Sequence, residues 1–111
     1  MEKDHLEEGL KEADTALALN PYEPLGYWYK GYAYYQMKDF PSAEAELKRA
    51  MQLDPYNAEL AKNYACTLHK MGRLDEAYKV VRDISVKVPE NKAFQQLLKD
   101  IQQRNVNNLK F

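Results

Sequence analysis

The chain has 111 residues, 30% of them charged, and a net charge of −1. A single domain of that size can bury a core, and the near-neutral balance excludes the basic surface that nucleic acid or an anionic membrane would need. Ala, Leu, Glu, Lys and Gln are common and β-branched residues sparse, so an all-α fold is expected. No apolar run approaches the ~20 residues of a membrane span. Residues 1–8 are mostly charged, so no signal peptide is expected there. The lone Cys66 allows no internal disulfide and favours a cytoplasmic, reducing setting.

In chain order, the first expected helix covers residues 6–19. Leu6, Leu10, Ala13 and Leu17 recur at i, i+4, i+7 and i+11 as one apolar stripe. Gly9, Ala13 and Ala16 form a neighbouring face of small residues. The second helix, 24–38, carries most of the rings: Tyr27, Trp28, Tyr29, Tyr32, Tyr34 and Tyr35. The third, 40–53, follows a suitable N-cap in Asp39 and holds Pro41 in its first turn, where a missing N–H costs nothing. The fourth, 57–71, stops at Gly72, which tolerates a left-handed cap. The fifth spans 74–86. Asp54-Pro55 and Val88-Pro89 break the chain, because the residue before proline disfavours helix. The sixth, 92–104, sets Phe94, Leu97, Leu98 and Ile101 on one side with polar residues elsewhere, as a closing helix would. The tail "NVNNLKF" is expected to fray.

These elements repeat. Pro21, Pro55 and Pro89 are 34 residues apart. The same offset relates Leu6, Phe40 and Leu74; Gly9, Ala43 and Ala77; and Ala13, Leu47 and Val81. Gly31 pairs with Ala65, Tyr34 with Leu68 and Met37 with Met71. A fixed period of this length marks stacked supersecondary units. Tyr27, Gly31, Tyr34, Ala43, Leu47, Ala50 and Pro55, with Ala61, Ala65, Leu68, Ala77, Val81, Ile84 and Pro89, give the chain its resemblance to the tetratricopeptide repeat (TPR) family. The resemblance implies an all-α solenoid of antiparallel helix hairpins, wound as a right-handed superhelix of about six helices. It divides the chain into a half repeat (1–23), two repeats (24–57 and 58–91), and a capping helix with its tail (92–111). Lys30 departs from the pattern, standing where the family usually has Leu, and Ile84 is larger than the usual Ala.

Helical spacing sorts the rings. Tyr27, Gly31 and Tyr34 lie at i, i+4 and i+7 and are expected to face the return helix, as core or near-core. Trp28, Tyr32 and Tyr35 form a second stripe one position round, with Tyr29 at its border. In the family that side lines a concave groove, so the resemblance implies a ring-lined wall for a protein or peptide partner. Rigid rings with polar tips make effective anchors. The equivalent positions of the next repeat, Glu59, Lys62, Cys66 and His69 with Asn63 beside them, are mixed and hydrogen-bonding. Some family members clamp a chaperone's C-terminal carboxylate with two Lys, two Asn and an Arg. Slot by slot only Asn63 matches, while Trp28, Tyr32, Ala93 and Leu97 fill the other places; shifting the frame by one repeat matches only Lys62.

Nothing in the chain spells catalysis or a cofactor. Cys66 and His69 share a helix face, but two ligands do not make a zinc site, and neither a phosphate loop nor an oxyanion donor accompanies them. The expected function is a non-catalytic interaction scaffold. The alternatives are an assembly unit, forming a weak homodimer through the small-residue face of the first helix, or a fragment of a longer repeat protein.

Overall fold

A computed structural model describes residues 3–111; residues 1 and 2 of the half repeat lie outside it. It contains six helices: α1 (Lys3–Leu19), α2 (Pro24–Gln36), α3 (Phe40–Leu53), α4 (Ala58–Lys70), α5 (Leu74–Ser85) and α6 (Lys92–Gln102), with no strand among the described residues. They fall into two compact units, residues 1–55 and 56–111.

In the first unit α2 packs against α3 on one side and α1 on the other. Gly31 lets α3 come close: a Cβ there would sit 2.6 Å from Leu47 Cδ2. Ala43, Leu47 and Ala50 are fully buried along α3. Leu6, Ala13 and Leu17 are buried along α1, while Leu10 is half-exposed. Asp39 caps α3 as expected, its carboxylate accepting from the Ser42 N–H at 3.3 Å. Tyr27 and Tyr34 are half-buried rather than enclosed. A tyrosine ring is too large to sink between helices this close, so Tyr27 lies at the rim. Its hydroxyl donates to the Pro21 carbonyl at 3.0 Å, and the Arg49 guanidinium lies 5.6 Å from its ring centre.

In the second unit α4 packs on α5, and α5 on α6. Asn57 and Asn91 cap α4 and α6, their side chains accepting from Leu60 and Phe94 N–H groups at 3.1 and 3.0 Å. Arg73 precedes α5 and pairs with Glu76 at 2.7 Å. The hydrogen bond from Arg73 holds the Glu76 carboxyl below its usual range. Gln95 donates to the Ser85 and Val88 carbonyls at 2.9 and 3.1 Å, closing the end of α5.

The two hairpin turns correspond bond for bond. Lys38 and Asp39 donate to the Tyr35 and Tyr34 carbonyls, as Gly72 and Arg73 do to those of His69 and Leu68. Lys38 therefore lies outside α2, with φ 62°, where Gly72 has φ 75°. The helix expected over 92–104 also stops early, because Arg104 turns left-handed at φ 58°.

Candidate functional site

Trp28, Tyr32 and Tyr35 are each partly exposed on α2, whose only fully buried residues are Gly31 and Ala33. Tyr35 meets Phe40 edge-on with ring centres 5.3 Å apart. Tyr32 meets Tyr29 at 6.1 Å, the planes tilted by 46°. Tyr29 itself leans on α1: a Cβ at Gly9 would collide with its ring and hydroxyl. Gly9, part of the face expected to pair with a second copy, is thus covered from within the unit. The small-residue face that remains forms an apolar cleft of about 470 Å³, with Ala13, Ala16, Leu17, Leu25 and Tyr29 in its lining.

Lys30, the departure from the family pattern, ties three helices together. Its ammonium sits 2.7 Å from Asp14 on α1 and 3.1 Å from Glu46 on α3, with the side chain 17% exposed. Burial works to lower its pKa, but the hydrogen bonds and charges of the two carboxylates outweigh it and hold the group above the usual lysine value. The family's apolar contact is replaced here by an ion-pair bridge.

On α4 the expected residues separate. Glu59 is exposed and pairs with the half-buried Lys62 at 3.0 Å; His69 is half-buried. Asn63 and Cys66 are buried. So are Leu60, Ala61, Ala65, Thr67 and Leu68, leaving α4 covered nearly all round. Part of the cover is the tail, which does not fray. Leu109 is 5% exposed, and its carbonyl accepts from the Cys66 thiol at 3.4 Å.

Asp100 on α6 guides the tail there. Its carbonyl accepts from the Asn105 N–H at 2.7 Å, and its carboxylate from the Asn108 side chain at 3.4 Å and from Gln96 at 2.9 Å. Arg104 pairs with Asp75 of α5 at 3.2 Å. Within 105–111 Leu109 alone is buried. Val106 and Phe111 are half-buried on either side of it.

Beside the tail, between α4 and α6, lies a cleft of about 300 Å³. Ala58, Ala93, Phe94 and Leu97 supply apolar lining; Lys62 and Asn108 are among the polar groups. Ala93 and Leu97 leave no cation at two of the places where a carboxylate clamp would need polar groups. Among the described residues no group of three His, Cys, Asp or Glu could hold a metal, and no helix is long and apolar enough to cross a membrane.

Antiparallel helix hairpins that reuse one turn and one small-residue contact define a helical-repeat protein. A family model for the tetratricopeptide repeat matches residues 34–101, more than half of the chain, and the chain belongs to that family. No curated protein sequence matches it. Among solved structures it is similar to TTC0263, a thermophilic TPR protein of Thermus thermophilus, at 26% identity and a TM-score of 0.83. That likeness covers 91% of this chain and 52% of the other, so the chain spans about half the length of the Thermus protein. The fold also matches the first TPR of Spaghetti (RPAP3) bound to an HSP90 peptide, at 21% identity and TM-score 0.75, covering 88% of this chain and 80% of that one. The TPR2B domain of yeast Sti1, in complex with an Hsp70 peptide, matches at 18% and 0.75, covering 92% and 86%.

Proposed function

We propose that the chain is a non-catalytic scaffold that holds a segment of a partner protein. The carrying observation is the placement of Trp28, Tyr32 and Tyr35: three large rings left partly exposed on one helix whose buried residues are Gly31 and Ala33. Exposed rings of this kind supply contact area at low entropic cost. The structures bound to HSP90 and Hsp70 peptides support a segment as the ligand. An acidic chaperone tail is not the segment, since the clamp residues are missing and Asn63, the one match, is buried.

The test is affinity capture with native chain and with Trp28→Ala/Tyr32→Ala, followed by titration of whichever partner is retained. Truncating Trp28 should weaken that partner by about 1–3 kcal/mol and change stability less. A double variant that unfolds, or that binds as the native chain does, removes the reading. A second reading, weak self-association, is favoured by the apolar cleft on α1 and α2. Ala16 is exposed and Ala13 buried, so Ala16→Glu is the clean probe. It should abolish any concentration-dependent dimer in sedimentation, and a native chain monomeric at every concentration ends that reading.

A further inference from the structure

The α4 face that the repeat pattern assigns to a ligand already carries one. We infer that residues 105–111 are an internal ligand of this face, and that it selects partner segments of the same chemistry: an amide side chain followed directly by leucine, as in Asn108-Leu109. The inference rests on the reading of the chain as a segment-binding scaffold, and adds to it a motif and a means of closure.

Three observations carry it. Leu109 is buried although its neighbours Asn108 and Lys110 are exposed. Its carbonyl is met by the thiol of Cys66, on the stripe of α4 that corresponds to the ring stripe of α2. The amide of Asn108 reaches the carboxylate of Asp100, which is itself buried. A backbone acceptor, an apolar side chain and a side-chain amide are thus engaged together by a single turn, which the Leu109 N–H closes by donating to the Val106 carbonyl at 3.1 Å. The cleft of about 300 Å³ has Asn108 in its lining and extends between α4 and α6, leaving room for side chains that residues 105–111 do not place there. A partner segment with the same Asn-Leu pair repeats the tail's contacts at Leu109, and further side chains in the cleft offset the tail's advantage of being tethered. Until such a segment arrives, the tail keeps the apolar face closed to solvent and to unrelated chains.

Cys66 is the only cysteine, so its reaction with a thiol reagent reads the occupancy of this face directly. In full-length Leu109→Asp the rate should rise about tenfold or more over native, with helical circular dichroism unchanged, because opening governs access to a buried group. Asn108→Ala should raise it less. A synthetic peptide of residues 104–111 should slow the reaction of Leu109→Asp again; the same peptide with aspartate in the leucine's place should not. The labelled native peptide should bind Leu109→Asp about tenfold more tightly than it binds native chain, in which the face is occupied. Equal thiol rates in native and Leu109→Asp overturn the inference, as does equal peptide binding. If Leu109→Asp loses helicity, Asn108→Ala and the peptide decide in its place. Protection that grows with protein concentration would put the tail on a second copy, and would overturn closure within one chain. None of these readouts involves Trp28 or Tyr32, so they stand or fall apart from the partner capture.

Discussion

α2 and α4 hold the same place in successive repeats, yet they meet their surroundings in opposite ways. On α2 only Gly31 and Ala33 are fully buried, and the rings stand at the rim. On α4 seven residues from Leu60 to Leu68 are buried, and the tail closes one side. What the repeat holds constant is a small buried residue, Gly31 or Ala65, on each helix that packs on its return helix. What it leaves free is the character of the other faces. A helix given large rings keeps surface for others; a helix given Leu60, Ala61, Ala65, Cys66 and Leu68 must be covered over most of its length, while Glu59 and Lys70 stay in solvent at its ends.

The sharpest way to break the comparison is to cut into the buried helix. Leu68→Ala, at a site 1% exposed, should cost about 2–5 kcal/mol in denaturant unfolding. Truncating Tyr34, its half-exposed counterpart on α2, should cost clearly less. Equal losses would mean that the rim position on α2 matters as much as the core position on α4.

Gly31→Ala should come next. The added methyl would lie 2.6 Å from Leu47 side-chain carbons, and overpacking outweighs the gain in helix propensity, for a net loss of about 1–2 kcal/mol. A stabilised variant would show that the two helices of the first hairpin can move apart freely.

Lys30→Met tests whether the ion-pair bridge substitutes for an apolar contact. It should cost about 1 kcal/mol near neutral pH, less than a fully buried pair because Asp14 is 62% exposed. The folded-state pKa is raised, so the stabilisation is fully present below the ordinary lysine value of 10.5 and is lost as pH rises through the folded value. The difference in melting temperature between native and variant should therefore shrink above pH 10.5. A difference independent of pH would assign the loss to packing alone.

The smallest effect concerns the turns. Lys38 holds a left-handed conformation that Gly72 holds without a Cβ. Lys38→Gly should stabilise by about 0.5–1 kcal/mol, which thermal melts would register as a rise of a few degrees. A fall would mean that the lysine side chain contributes more than its backbone strain costs.

Helix positions, their caps and the hairpin pairing were legible because they depend on local chemistry repeated every 34 residues. Asp39 and Gly72 act within one turn of where they stand, whereas Asn57, placed inside its helix by spacing, is the cap that precedes it. The seat of Tyr29 on Gly9, the bridge from Lys30 to Asp14 and Glu46, and the tail on Cys66 were not legible. Each joins residues on different elements whose pairing follows from side-chain length and direction, not from spacing. A signal for the tail did exist: Val106, Leu109 and Phe111 are apolar in a segment otherwise polar, and Cys66 interrupts the polar stripe of Glu59, Lys62 and His69. Between the core and near-core places open to Tyr27 and Tyr34, spacing could not choose, and the structure has both half-buried. Spacing gives a residue's direction, but ring size decides how far it can enter.

The tail also has a bearing on the order in which the chain assembles. Within each unit helices pack on their immediate neighbours in the chain, and contacts of such short range form quickly because little loop entropy is lost in closing them. The bond from Cys66 to the Leu109 carbonyl spans 43 residues and needs α4, α5 and α6 already in place. In refolding it should close last, as a slower phase seen by the Cys66 thiol after the helical signal is complete. In synthesis Leu109 leaves the ribosome after all three of those helices, so every newly made chain passes through an interval with this face of α4 uncovered.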